Sequence, residues 1–141
     1  MSRILALDPS FTSTGWVVVD LEAVPSGYIL AAGVIRTAPP KASERLLAAV
    51  ADCRRGARIR RGVKARLVDH HVTLVAMEAV AGSQSARSAA ALARASQACW
   101  DACALLGEPI AVTPAAVKQA AVGALGASKD AVAAAMRQRW D

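Results

Sequence analysis

Aromatic residues are scarce: one Tyr, one Phe and three Trp make up 4% of the chain. Such a sequence cannot pave a broad base-stacking surface, so its core must be aliphatic, and 55% of the residues are hydrophobic. Trp16, Trp100 and Trp140 therefore read as core or interface residues. Cysteine is also sparse. Cys53, Cys99 and Cys103 are odd in number, which excludes a closed disulfide framework and suits a reducing compartment. Cys99 and Cys103 lie i,i+4, on one face of an expected helix, and no obvious His or Cys pair completes a zinc site with them. They read as small buried apolar side chains.

Acids are outnumbered, 11 against 17 Lys and Arg, which leaves a formal charge of +6. That balance favours polyanionic partners such as nucleic acid, although many basic proteins have none. No uncharged apolar run reaches membrane-spanning length. The opening MSRILALDPS lacks the long apolar stretch and cleavage site of a signal peptide. The expectation is a soluble, cytoplasmic protein with no membrane partner. Walker A, dinucleotide-binding and zincin motifs are absent, so no nucleotide cofactor is expected. A length of 141 residues suits one domain able to bury a core.

The hydrophobic period changes along the chain. Ile4 to Leu7, Gly15 to Asp20 and Tyr28 to Ile35 read as strands joined by short links, hence as an antiparallel meander. Ser43 is placed to cap a helix from Glu44. Leu46, Leu47, Val50, Cys53, Val63 and Leu67 recur on it at helical spacing, and Gly56 and Gly62 are candidate breaks. Val72 to Met77 is a continuous apolar run, as in a central strand covered on both faces. Ser88 to Leu106 predicts an Ala-rich helix, and Ile110 to Thr113 a short strand. Pro114 opens a helix through Val122, and Ser128 caps a last helix with Asp130 in its first turn. The fold class is therefore α/β, with a mixed five-stranded sheet: a three-stranded antiparallel meander plus parallel strands, and helices on both faces.

Asp8 and Glu78 each follow an apolar run and end an expected strand. A charge there is unfavourable unless it is paired or binds metal. If the two strands are neighbours, the carboxylates converge at one sheet edge, where they can hold Mg²⁺ through oxygen ligands and retained water. Such a site can activate water and stabilise the leaving oxygen of a phosphodiester. The same pattern also describes two ordinary strand-end acids.

Three blocks then narrow the choice. ILALDPSFTSTGWVVVD, VAMEAVAGSQSARSAAALARA and VTPAAVKQAAVGALGASKDAV occur in order and span most of the chain. They resemble the first two strands, the second acidic motif with its helix, and the third block of RuvC-type Holliday junction resolvases. The resemblance implies an RNase H-like fold, a homodimer, Mg²⁺-dependent phosphodiester hydrolysis with Mn²⁺ as the alternative ion, and branched DNA, above all the four-way junction, as substrate. It carries Asp8 and Glu78 over as catalytic carboxylates, and Lys118 and Lys129 as phosphate contacts. The loop after Glu78, AGSQSARS, supplies Ser83, Gln84 and Arg87 as candidate DNA contacts, but lacks the bulky aromatic that the family often places near the junction centre. The family completes its site with acids on a later C-terminal helix. Here Asp141 is the one late acid and the candidate third metal ligand, so residues 1–141 read as a nuclease domain without that acidic helix.

Arg54, Arg55, Arg58, Arg60, Arg61, Lys64 and Arg66 form a basic run with no acid inside it. Phosphate binding would relieve its self-repulsion by counterion release, which makes Arg58, Arg60 and Arg61 candidate DNA contacts; a solvated helix face is the plain alternative. His70 and His71 read as surface residues outside catalysis. Arg87 and Arg94, i,i+7, share a helix face open to DNA, a dimer partner or solvent. The rival functions are a catalytically inactive branched-DNA-binding module of the same fold and an actin-like ATPase or sugar kinase. The latter needs two such domains to close around a nucleotide, and 141 residues supply one.

Overall fold

The computed structural model describes residues 2–22, 27–79 and 85–140, without the side chains of residues 44–46 and 140. Ser83, Gln84 and Asp141 lie outside the described residues. The elements run β1 (Arg3–Asp8), β2 (Ser13–Asp20), β3 (Tyr28–Arg36), a 3-10 helix (Ala42–Leu47), α1 (Ala48–Asp69), β4 (Leu74–Glu78), α2 (Ala86–Cys103), β5 (Ile110–Val112), α3 (Pro114–Val122) and α4 (Lys129–Trp140). The sheet order is β3-β2-β1-β4-β5. β1, β2 and β3 form the expected antiparallel meander, and β4 joins β1 in parallel, followed by β5.

Strand alternation sorts the side chains. Leu5 and Leu7 of β1, Val18 of β2, and Val75 and Met77 of β4 enter one core with Ile59, Val63 and Leu67 of α1. Ala95, Ala98, Cys99, Ala102 and Cys103 of α2 complete it, and their small size lets that helix lie close. Burial pushes the Cys99 thiol up to about 12 and the Cys103 thiol up to about 11. Both are inert apolar fillers, as expected.

Four local expectations are corrected. Gly56 and Gly62 do not break the helix, which runs unbroken from Ala48 to Asp69. Gly62 marks a close approach instead: a Cβ there would meet Ile35 side-chain atoms at 2.8–3.1 Å. Ser43 does not cap α1, because a 3-10 turn intervenes and the N-cap is Leu47, with no side-chain capping bond. Leu47, Val50 and Cys53 are exposed, so the buried stripe of α1 is Ile59, Val63 and Leu67, on its later turns against the sheet. Further on, α2 starts two residues before Ser88, because Ser85 Oγ accepts from Ser88 N at 3.2 Å and caps it. Pro114 does occupy the first turn of α3, and Ser128 Oγ caps α4 by accepting from Ala131 N at 3.1 Å.

Candidate active site

β1 and β4 pair through Leu7 and Met77, so Asp8 and Glu78 follow side by side at the same sheet edge. Leu7 and Met77 are buried in the core, so the next residue on each strand turns to the opposite face. Both carboxylates line one cleft of about 900 Å³, together with Lys118 of α3 and Lys129 of α4. The structure thus brings four sequence-selected residues together. Gly15 pairs with Asp8 across β1 and β2, and a Cβ on it would lie 4.0 Å from Asp8 Oδ2. A larger side chain would crowd that flank of the carboxylate.

The Glu78 carboxyl is pushed above its ordinary range, first by burial, then by a hydrogen bond with Asp8 and by the Asp8 charge; Lys129 opposes the shift. These are the marks of two carboxylates brought together and only partly balanced by the one nearby cation. Lys129 stands in the first turn of α4, where a cation opposes the helix dipole. The sequence accepts a local penalty to keep positive charge facing Glu78 in the cleft.

The donor set suits a divalent cation. Two oxygen ligands that repel when ionised gain most from a shared hard ion, and Mg²⁺ binds through one or two carboxylates plus water. Among the described residues no group of three or more His, Cys, Asp and Glu is gathered that could hold a metal.

The remaining candidates lie elsewhere. Arg58, Arg60 and Arg61 are exposed on α1, a helix packed against the other face of the sheet. Arg60 lines a separate cavity of about 600 Å³ between α1 and α2, with Asp52, Arg94 and Asp101. Arg87 is exposed in the first turn of α2. Arg94 is committed to an ion pair with Asp52 at 2.5 Å. Two members of the basic run turn inward: Arg55 stacks over Phe11 at 4.1 Å and Arg66 over Trp16 at 4.7 Å. The run looks uniform as a sequence, and only the helical phase against the aromatic positions could separate these two. Trp16 packs against the core. His70 lies at the opposite end of β1, where its carbonyl accepts from Arg3 Nη1 at 2.9 Å, and His71 makes the turn after α1 with φ 50°. Neither histidine joins the site. No described helix is long and apolar enough to cross a membrane.

Known proteins resemble this chain in both sequence and shape. The profile of the family described as crossover junction endodeoxyribonuclease RuvC matches residues 4–139. The crossover junction endodeoxyribonuclease RuvC of Paenarthrobacter aurescens is 31% identical over 131 residues, covering 92% of this chain and 65% of the relative. That of Pseudarthrobacter chlorophenolicus is 30% identical over 131 residues, covering 92% and 64%. The chain spans about 65% of the length of the first of these relatives. Among solved structures, Thermus thermophilus RuvC in complex with a Holliday junction substrate superposes with a TM-score of 0.81 at 26% identity, covering 99% of this chain and 80% of that one. A second structure of Thermus thermophilus RuvC gives 0.77 at 27% identity, covering 96% and 78%. The fold is accordingly RNase H-like, and the chain belongs to the RuvC family.

Proposed function

We propose that this chain is a structure-selective endodeoxyribonuclease that hydrolyses phosphodiesters in branched DNA, with the four-way junction as its substrate. The observation that carries the reading is the placement of Asp8 and Glu78 side by side at the ends of paired strands, in a cleft also lined by Lys118 and Lys129. The relatives named as crossover junction endodeoxyribonucleases, and the related structure solved with a Holliday junction, support it.

Asp8 and Glu78 would hold Mg²⁺, or Mn²⁺ in its place. When bound, the ion lowers the pKa of its water and offsets charge that develops on the phosphate. Asp8 and Glu78 fix the place of attack at the sheet edge. Lys129, facing Glu78, and Lys118, in the same cleft, draw a backbone phosphate toward the carboxylates. Outside the cleft, Arg58, Arg60, Arg61 and Arg87, with Ser83 and Gln84 of the segment after Glu78, would contact the DNA arms, and Asp141 would add a third acid. Phosphate contacts of this kind position the duplex without reading its sequence.

We infer that the active form is a homodimer joined through α2, the helix observed over Ala86–Cys103. A two-fold pair of sites matches the symmetry of paired cuts across a four-way junction. Trp100, 38% exposed on α2, supports an interface there.

The experiment is cleavage of a four-way junction and of a linear duplex by this chain with Mg²⁺, alongside binding in EDTA. Junction-selective cutting that stops on Asp8→Asn, with binding retained, is the expected result. Junction binding by the wild-type chain without any cutting replaces this reading with the inactive binding module of the same fold.

A further inference from the structure

The segment that leaves Asp8 is held locally by Thr14, whose hydroxyl donates to Ser10 O at 2.8 Å, and from outside by Thr37 and Arg55. Phe11, three residues on, is buried, and its carbonyl oxygen accepts two side-chain bonds: from Arg55 Nη2 at 2.8 Å and from the buried Thr37 hydroxyl. Arg55 Nε closes the ring by donating to Thr37 Oγ1 at 3.0 Å. The guanidinium also lies 4.1 Å above the Phe11 ring, so backbone and side chain of one loop residue are held by a single cation. The main chain adds one bond, from Thr37 N to Thr12 O at 2.9 Å.

Arg55 is held from behind. Its Nη1 is 3.9 Å from Asp52, and Asp52 pairs with Arg94 of α2 at 2.5 Å. The 14% side-chain exposure of Arg55 sets it apart from its exposed neighbours Arg54 and Arg58. Its planar fork reaches two acceptors at once, which a lysine ammonium on a flexible stem does less well. This chain of hydrogen bonds and ion pairs joins the loop that follows Asp8 to the helix that follows the Glu78 strand.

From this geometry we infer that Arg55 is a positioning residue: it fixes the link of residues 9–12 between β1 and β2 and thereby sets where the Asp8 carboxylate meets Glu78. The inference rests on the reading of that pair as a divalent-cation site. Removing a partner that orients a metal ligand typically changes affinity or activity by about 10–100-fold. A merely structural arginine would lower the thermal midpoint and leave the affinity of the folded protein alone.

The test is calorimetric titration of the full chain with Mn²⁺, below the thermal midpoint of each variant. Wild type should bind, and Asp8→Asn should lose that binding. Arg55→Gln should bind Mn²⁺ about tenfold more weakly or worse, with an unchanged salt dependence of junction binding, since no phosphate contact is removed. Arg55→Lys should recover part of the loss. A folded Arg55→Gln variant with wild-type Mn²⁺ affinity overturns the inference. If Arg55→Gln does not fold, Thr37→Val removes the bridging hydroxyl while keeping the charge, and an unchanged affinity there overturns it equally. Should Asp8→Asn bind as wild type does, the metal reading of the pair itself fails, a result distinct from failure of the clamp.

Discussion

The two faces of β1 and β4 differ by one residue of register, and that residue separates scaffold from chemistry. On one face Leu5, Leu7, Val75 and Met77 are buried under α1 and α2. On the other, Ala6, Asp8, Ala76 and Glu78 line an open cleft whose wall carries Lys118 and Lys129. The packed face fixes the strand register, since a slip of one residue would send the leucines into the cleft and the carboxylates into the core. The open face is free to hold like charges because the packed face maintains the fold. Replacements on the two faces should therefore differ in size, and the first expectation sharpens that contrast. Ile59→Ala, at a fully buried position of α1, should lower stability by about 2–5 kcal/mol through reduced burial and a residual cavity. Val34→Ala, at a half-exposed position lining the cleft, should lower it by less than about 1 kcal/mol. Urea unfolding of both variants reads the difference, and equal losses would break the contrast.

A finer version compares the two glycines of α1. Gly62→Ala forces a Cβ against Ile35 at 2.8 Å and should destabilise by about 1–3 kcal/mol. Gly56→Ala meets no atom within 4 Å and should stabilise by up to about 1 kcal/mol, because alanine restricts the unfolded chain. Opposite signs in the shift of the thermal midpoint are expected. The same sign for both would mean that the contact of α1 with β3 is misplaced.

The smallest expected effect lies on the outer side of α1. Replacing Arg58, Arg60 and Arg61 together with Ala should weaken junction and linear duplex binding alike. It should also flatten the plot of log affinity against log salt by about 0.9 for each phosphate that is no longer neutralised. An unchanged slope in a folded variant removes α1 from the DNA surface and leaves the cleft lysines as its cationic part.

Much of this arrangement was legible in the chain because strand alternation and turn chemistry are local. The apolar runs before Asp8 and Glu78 located both strand ends, and the short links gave the meander. Ser128 sits at a helix start and its side chain accepts the expected backbone bond, whereas Thr113, read as a strand residue, caps α3 instead. The failures were tertiary. Gly62 reads as a breaker until Ile35 is seen beneath it, and propensity cannot show that a neighbouring strand requires the missing Cβ. Leu47 and Val50 have helical spacing, but periodicity does not say which turns meet the sheet. Arg55 was indistinguishable from Arg54 and Arg58 in a run of like residues, because its partners Phe11 and Thr37 are distant in sequence. At the site, the two carboxylates and both lysines were legible from their blocks. The clamp behind Asp8 was not, since hydrogen bonds over such separations leave no mark in local pattern.

In the proposed site, Asp8 and Glu78 form a like-charge pair that a divalent cation would relieve. Folding raises the proton affinity of Glu78 above its ordinary pKa of 4.5, so the folded state holds that proton more tightly than the unfolded chain. Stability must then fall as pH rises from about that value through the raised folded one, and the penalty persists at neutral pH. Thermal midpoints at neutral pH, for wild type, Asp8→Asn and Glu78→Gln, with and without Mg²⁺, test this directly. Without metal, both variants should melt above wild type; with Mg²⁺, wild type should rise while the variants stay where they were. Variants that melt below wild type without metal, or that respond to Mg²⁺ as wild type does, would contradict the account.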